Sequence, residues 1–120
     1  MQNYHRLPVW RKGHAIALAI DTLTRDLPRG RHAGLVGQLQ RASLSIPANI
    51  AEGASRATDK DFAKFLQVAI GSTTEVEYHL EFAADAAIIS REEFERRQIE
   101  LIEVRRMLTG FVKFLRGPTR

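Results

Sequence analysis

One stretch of this chain sets polar groups at helical spacing inside an otherwise apolar run: residues 43–56, SLSIPANIAEGASR. Arg41, Ser45, Asn49, Glu52 and Arg56 recur at steps of four and three, which places them on one side of a helix. Ser72, Glu75 and His79 repeat the same steps further along. Two neighbouring helices would join these eight residues into a polar seam. Such a seam can hold a ligand or a catalytic pocket. The favoured reading is a hydrogen-bonded network that fixes register or a subunit contact, because an unmet buried polar group costs about 1–3 kcal/mol. Arg41 or Arg56 with Glu52 or Glu75 are the pairs that charge suggests.

Metal and nucleophile chemistry find less support. A di-iron bundle takes a Glu from each of two helices and Glu-x-x-His from the other two. The chain has no Glu-x-x-His; its nearest approach places His79 four residues after Glu75. Cysteine is absent, which excludes disulfides and thiolate metal sites. Ser43, Ser45, Ser55, Ser72 and Ser90 have capping, kink or small-residue explanations. Ile70-Gly71-Ser72-Thr73 falls in a helical pattern, not on a strand-to-helix elbow. No glycine-rich phosphate loop occurs. We therefore assign no catalytic residue, metal ligand, cofactor or small-molecule substrate.

Charge offers a different chemistry. Residues 1–60 carry nine Lys/Arg against four Asp/Glu, residues 61–100 four against nine, and residues 101–120 five against one. Arg11, Lys12, Arg29 and Arg31 cluster in the first third, and Arg105, Arg106, Lys113 and Arg116 in the last segment. Solvated surface charge is the commoner explanation of such groups. The alternative is a phosphate-contacting surface. No aromatic interleaving supports base reading, so binding would be driven by charge and shape and would weaken steeply with salt.

Four helical segments must position these groups, and no strand pattern competes. The first spans about residues 8–26, with Pro8 suited to a first turn and Val9, Gly13, Ile16, Ile20, Leu23 and Leu27 on one stripe. The second spans about residues 31–54, with Leu35, Leu39, Ala42, Ile46 and Ile50 in its stripe. Pro47 predicts a kink there, eased by the hydroxyls of Ser43 and Ser45, and Gly53 is placed for a C-cap. The third starts at residue 58 or 59 and carries the strongest repeat: Phe62, Leu66, Ala69, Thr73, Val76, Leu80, Ala83 and Ala87. Gly71 in its middle predicts a close helix–helix approach. The fourth opens on a capping box, Ser90 with Glu93, and carries Phe94, Arg97, Leu101, Val104, Leu108, Phe111 and Leu115 to a stop at Gly117-Pro118. Short loops make successive helices antiparallel. Residues 1–120 are expected to form one all-α domain, an up-down-up-down four-helix bundle. The longest apolar run, residues 15–20, is far below the roughly 20 residues needed to cross a bilayer. The N-terminus carries no apolar signal stretch, so a cytoplasmic protein with no membrane partner is expected.

Trp10, Phe65 and Val68 fall just off the core stripes, with Tyr78 and Phe82 beside them. A core uses one face per helix, and this second apolar edge predicts an interface with another copy.

At SIPANIAEG, residues 45–53, the chain resembles the four-helix-bundle family encoded within intervening sequences of bacterial 23S rRNA genes. The accessory protein of diversity-generating retroelements is a more distant similarity. The resemblance begins at Leu7, Val9 and Trp10, continues through Leu39, Arg41 and Ala42, and extends to Arg56, Phe62, Phe65, Leu66, Ala69, Gly71, Ser72 and Glu75. It implies a cytoplasmic bundle that self-associates as a homopentamer, with RNA or a ribonucleoprotein as a partner. It transfers no catalytic residue. The resulting expectation is a non-enzymatic, self-associating bundle that binds nucleic acid or a ribonucleoprotein through basic surfaces. The alternative is a protein–protein scaffold or adaptor that never touches RNA. A small-molecule or metal enzyme is a third, less favoured, reading.

Overall fold

The computed structural model describes residues 2–28, Gly30 and residues 32–118. Pro8 supplies the first residue of α1 (Pro8–Arg25), where its missing N–H costs nothing. After α2 (Ala33–Ala54), the Thr58 hydroxyl accepts the Asp61 N–H at 3.2 Å and starts α3 (Asp59–Asp85). The Ser90 hydroxyl accepts the Glu93 N–H at 3.0 Å and starts α4 (Arg91–Arg116). Gly117, at φ 74°, ends it in a backbone region that favours glycine. Before α1, a 3-10 turn at Tyr4–Arg6 lies close to the α2 C-terminus, where the Gln2 N–H donates to the Ala54 carbonyl at 2.8 Å.

Each helix packs against the next, and α1 also meets α4, closing a four-helix bundle. The cross-contacts run in opposite directions along every pair. Thr24 of α1 meets Gln40 of α2, while Gly13 faces Ile46 and Ile50. Ser45 meets Ser72, and Gly53 faces Phe62. Phe62 packs edge-on against Phe111, and Glu77 reaches back to Gln98. Lys12 pairs with Glu103. The arrangement is therefore up-down-up-down. The 27 residues of α3 span about 40 Å at 1.5 Å each, most of the 48 Å long axis. One core runs through it, built on Ile20, Leu39, Ile46, Ile50, Leu66, Leu80, Leu101 and Leu108. Each such side chain contributes roughly 1.5–3 kcal/mol by burial.

Several local expectations need correction. Gly53 is no C-cap: α2 continues to Ala54, and a Cβ on Gly53 would sit 2.7 Å from the Phe62 ring and 2.9 Å from the Phe65 Cβ. The close approach expected at Gly71 lies at Gly53 instead, because Gly71 faces open solvent. Helix α2 stays continuous through Pro47, but the hydroxyls expected to ease it do not do so. The Ser43 hydroxyl turns to the Gln40 carbonyl, and the Ser45 hydroxyl meets Ser72 and Asn49, whose amide also donates to the Ser45 carbonyl at 2.8 Å. Ala87 lies beyond α3, not in its stripe. It adopts φ 60°, with Ile88 N–H on the Ala83 carbonyl at 2.8 Å and Ala87 N–H on the Ala84 carbonyl at 3.0 Å. That is a Schellman C-cap with alanine in the glycine position. Glu93 does not complete a capping box; its carboxylate faces Arg96 and Arg97 at 3.5 and 3.4 Å. Arg97, at an α4 stripe position by spacing, is a nearly covered cation, 11% exposed, between Glu93 and Glu100.

Candidate nucleic-acid interface

The basic residues singled out by sequence do not share one environment. Arg105 points inward, donating from Nε to the Thr73 hydroxyl at 3.0 Å and pairing with Glu77 at 2.5 Å. The Gln98 amide donates to the other Glu77 oxygen at 2.9 Å. Burial works to raise the Glu77 pKa, but the bonds from Gln98 and Arg105 and the Arg105 charge outweigh it and hold the carboxyl below its ordinary 4.5. Arg105 therefore joins α3 to α4 and does not offer its charge outward. Lys12 is held by Glu103 at 2.6 Å. Arg29 and Arg31 lie outside the described residues. Arg11, Arg106, Lys113 and Arg116 are exposed and form no ion pair among the described residues.

The antiparallel fold adds two cations that sequence reasoning missed. The first turns of α3 return to the end of the bundle where α4 finishes. Lys60, Lys64, Ala63, Leu115 and Arg116 line one cleft there. Lys113 and Arg116, with Gly117 and Pro118, line a second beside it. Lys60 and Lys64 have no carboxylate partner among the described residues. Asp59 and Asp61 flank Lys60 in sequence, roughly 100° to either side around the helix. Lys113 and Arg116 have a structural reason to be where they are, since cations favour the negative C-terminal end of a helix. Lys60 has the opposite placement, in the first turn, where the helix field disfavours it. The signal for this grouping was available: with short loops, positions 60–64 and 113–116 must meet.

The seam between α2 and α3 forms only at its centre. The Ser45 and Ser72 hydroxyls lie 2.7 Å apart, and the Asn49 amide donates to the Ser45 hydroxyl at 2.9 Å. Arg56, in the turn just past α2, reaches back to Glu52 at 2.9 Å, and its guanidinium covers the Phe65 ring at 4.6 Å. Arg41 and Glu75 are exposed and stand outside this network. His79 is 8% exposed, and its Nδ1 lacks a hydrogen-bond partner. Of the apolar interface candidates, Val68, Tyr78 and Phe82 are exposed. Trp10 and Phe65 are half-buried: Trp10 stacks on His14 at 4.8 Å and meets Tyr4 edge-on at 4.9 Å. No group of three or more His, Cys, Asp or Glu side chains among the described residues is placed to hold a metal ion. No described helix is long and apolar enough to cross a membrane.

Fold and site together define an all-α antiparallel four-helix bundle with a group of exposed cations, lacking ion pairs among the described residues, at one end. The family model for the 23S rRNA-intervening sequence protein matches residues 5–110, and the chain belongs to that family. It is also similar to a solved structure from Bacteroides thetaiotaomicron, described as a protein with unknown function from the S23 ribosomal protein family. The two share 28% identity and a TM-score of 0.81, over 88% of this chain and 98% of the other. No curated protein matches.

Proposed function

We propose that the protein is a non-enzymatic bundle that self-associates and binds nucleic acid or a ribonucleoprotein through its cationic end. The observation that carries this reading is the group Lys60, Lys64, Lys113 and Arg116: four cations from two helices around adjoining clefts, with no carboxylate paired to them among the described residues. Four unpaired charges on a rigid frame suit a run of phosphates, and assembly would multiply a weak contact into avidity. Val68, Tyr78 and Phe82, exposed on α3, support the self-association half of the reading. The same face also fits a protein–protein scaffold.

Fluorescence anisotropy with a labelled RNA, titrated at low and moderate salt, tests the first half. Micromolar protein is expected to bind at low ionic strength, with affinity falling roughly 50-fold between 50 and 200 mM salt for four phosphate contacts on a single strand. A flat titration at low salt would overturn nucleic-acid binding. Light scattering tests the second half: a multiple of 13.6 kDa is expected, and a monomer contradicts it.

A further inference from the structure

The outward face of α4 carries a feature that folding does not require. Phe114 is 78% exposed, the most exposed large apolar side chain among the described residues. One exposed aromatic is ordinary on a protein surface. The residue one turn before it is not. Gly110 lies within α4, exposed, and a Cβ built on it would meet nothing within 4 Å. Glycine weakens a helix relative to alanine, and here no close packing compensates. Arg106 lies one turn before Gly110, and Lys113 three residues after it, so all four positions share one strip of helix surface. Both cations are exposed and lack an ion pair among the described residues. The carboxylate of this strip, Glu103, is already held by Lys12. The surface over Gly110 is open, because a Cβ there would meet no other atom within 4 Å, and Phe114 borders it one turn on.

We infer that this strip is a single-strand subsite: a base stacks on Phe114 in the space left by Gly110, while Arg106 and Lys113 take the adjoining phosphates. A flat aromatic beside cations is the arrangement by which single strands are held without reading sequence. A duplex offers its phosphates but not the face of an internal base, so the ring separates the two forms. This inference rests on the proposed nucleic-acid binding and specifies the form of nucleic acid.

The test uses the full chain and two probes, a single-stranded RNA containing 2-aminopurine and a fluorescein-labelled RNA duplex of equal length. The wild type is expected to quench 2-aminopurine on binding. Phe114→Ala is expected to lose that quenching and to bind the single strand at least five-fold more weakly, with duplex affinity unchanged. Phe114→Trp is expected to keep both. Circular dichroism and light scattering on each variant establish that fold and assembly are intact. Wild-type binding with Phe114→Ala equal to wild type on the single strand overturns this inference and leaves the basic-end reading standing. A change of assembly size in Phe114→Ala overturns it in favour of a protein contact. No wild-type binding to either probe overturns the reading beneath it.

Discussion

The two ends of this bundle hold most of their cations differently. At the end formed by the α1–α2 and α3–α4 turns, four of the described arginines have a carboxylate partner, and Arg41 is the exception. Arg25 faces Asp21, Arg91 faces Asp85, Arg96 faces Glu92, and Arg97 lies between Glu93 and Glu100. At the end formed by the α2–α3 turn and both chain termini, Lys60, Lys64, Lys113 and Arg116 have no such partner among the described residues. Exposed ion pairs contribute little to stability, so the difference is not mainly one of folding energy. Its consequence is a difference in field: carboxylates outnumber the described cations at the first end, and the second carries positive charge that no ion pair offsets.

The largest effect expected from this contrast is functional. Reversing Lys60, Lys64, Lys113 and Arg116 to Glu should weaken RNA binding at least 100-fold in anisotropy titrations, with thermal melting retained. Changing Arg25, Arg91 and Arg96 to Gln should leave the same titration unmoved. Equal losses from both sets would break the contrast between the ends.

Next in size is Arg105, the cation that connects α3 to α4. Arg105→Ala leaves the part-buried Glu77 with only Gln98 and should cost about 1–3 kcal/mol in urea unfolding. Its direct effect on RNA affinity should be small, unlike that of its exposed neighbour Arg106. Acid titration sharpens the same point. Because the folded Glu77 carboxyl lies below its ordinary 4.5, its stabilisation is complete above about that pH and is lost as pH falls through the lower folded value. Glu77→Gln should be less stable than wild type at neutral pH and lose less on acidification, as read by unfolding midpoints across that range.

Smaller effects belong to the paired end. Arg25→Ala and Arg91→Ala should each shift unfolding by no more than about 1 kcal/mol. Ala87→Gly, in the turn beside Arg91, should stabilise by about 0.5–1 kcal/mol, because alanine at φ 60° carries a steric penalty that glycine lacks.

Helix existence and most helix ends were legible because each rests on local chemistry. Pro8 suits a first turn, Ser90 caps, Gly117 permits a positive φ, and the α3 repeat keeps one face apolar from Phe62 to Ala83. What failed to show was which side of a helix a neighbour occupies. Gly53 and Gly71 look alike in sequence, yet one lies under Phe62 and Phe65 and the other in solvent. Arg105 and Arg106 are adjacent, but a turn of roughly 100° sends one to Glu77 and leaves the other outside. Arg97 sits at a core spacing, and only the long reach of its side chain lets it meet Glu93 and Glu100. Lys60 and Lys64 stand apart from the other cations along the chain, and only the antiparallel return of α3 against α4 brings them beside Lys113 and Arg116.

The most direct test of the uncompensated end is the salt dependence of RNA affinity, measured for wild type and for the Lys60, Lys64, Lys113 and Arg116 to Gln variant. Wild type should give a log–log slope of roughly −3 or steeper for a single strand, and the variant a slope less than half as steep. Equal slopes for the two proteins would contradict the account.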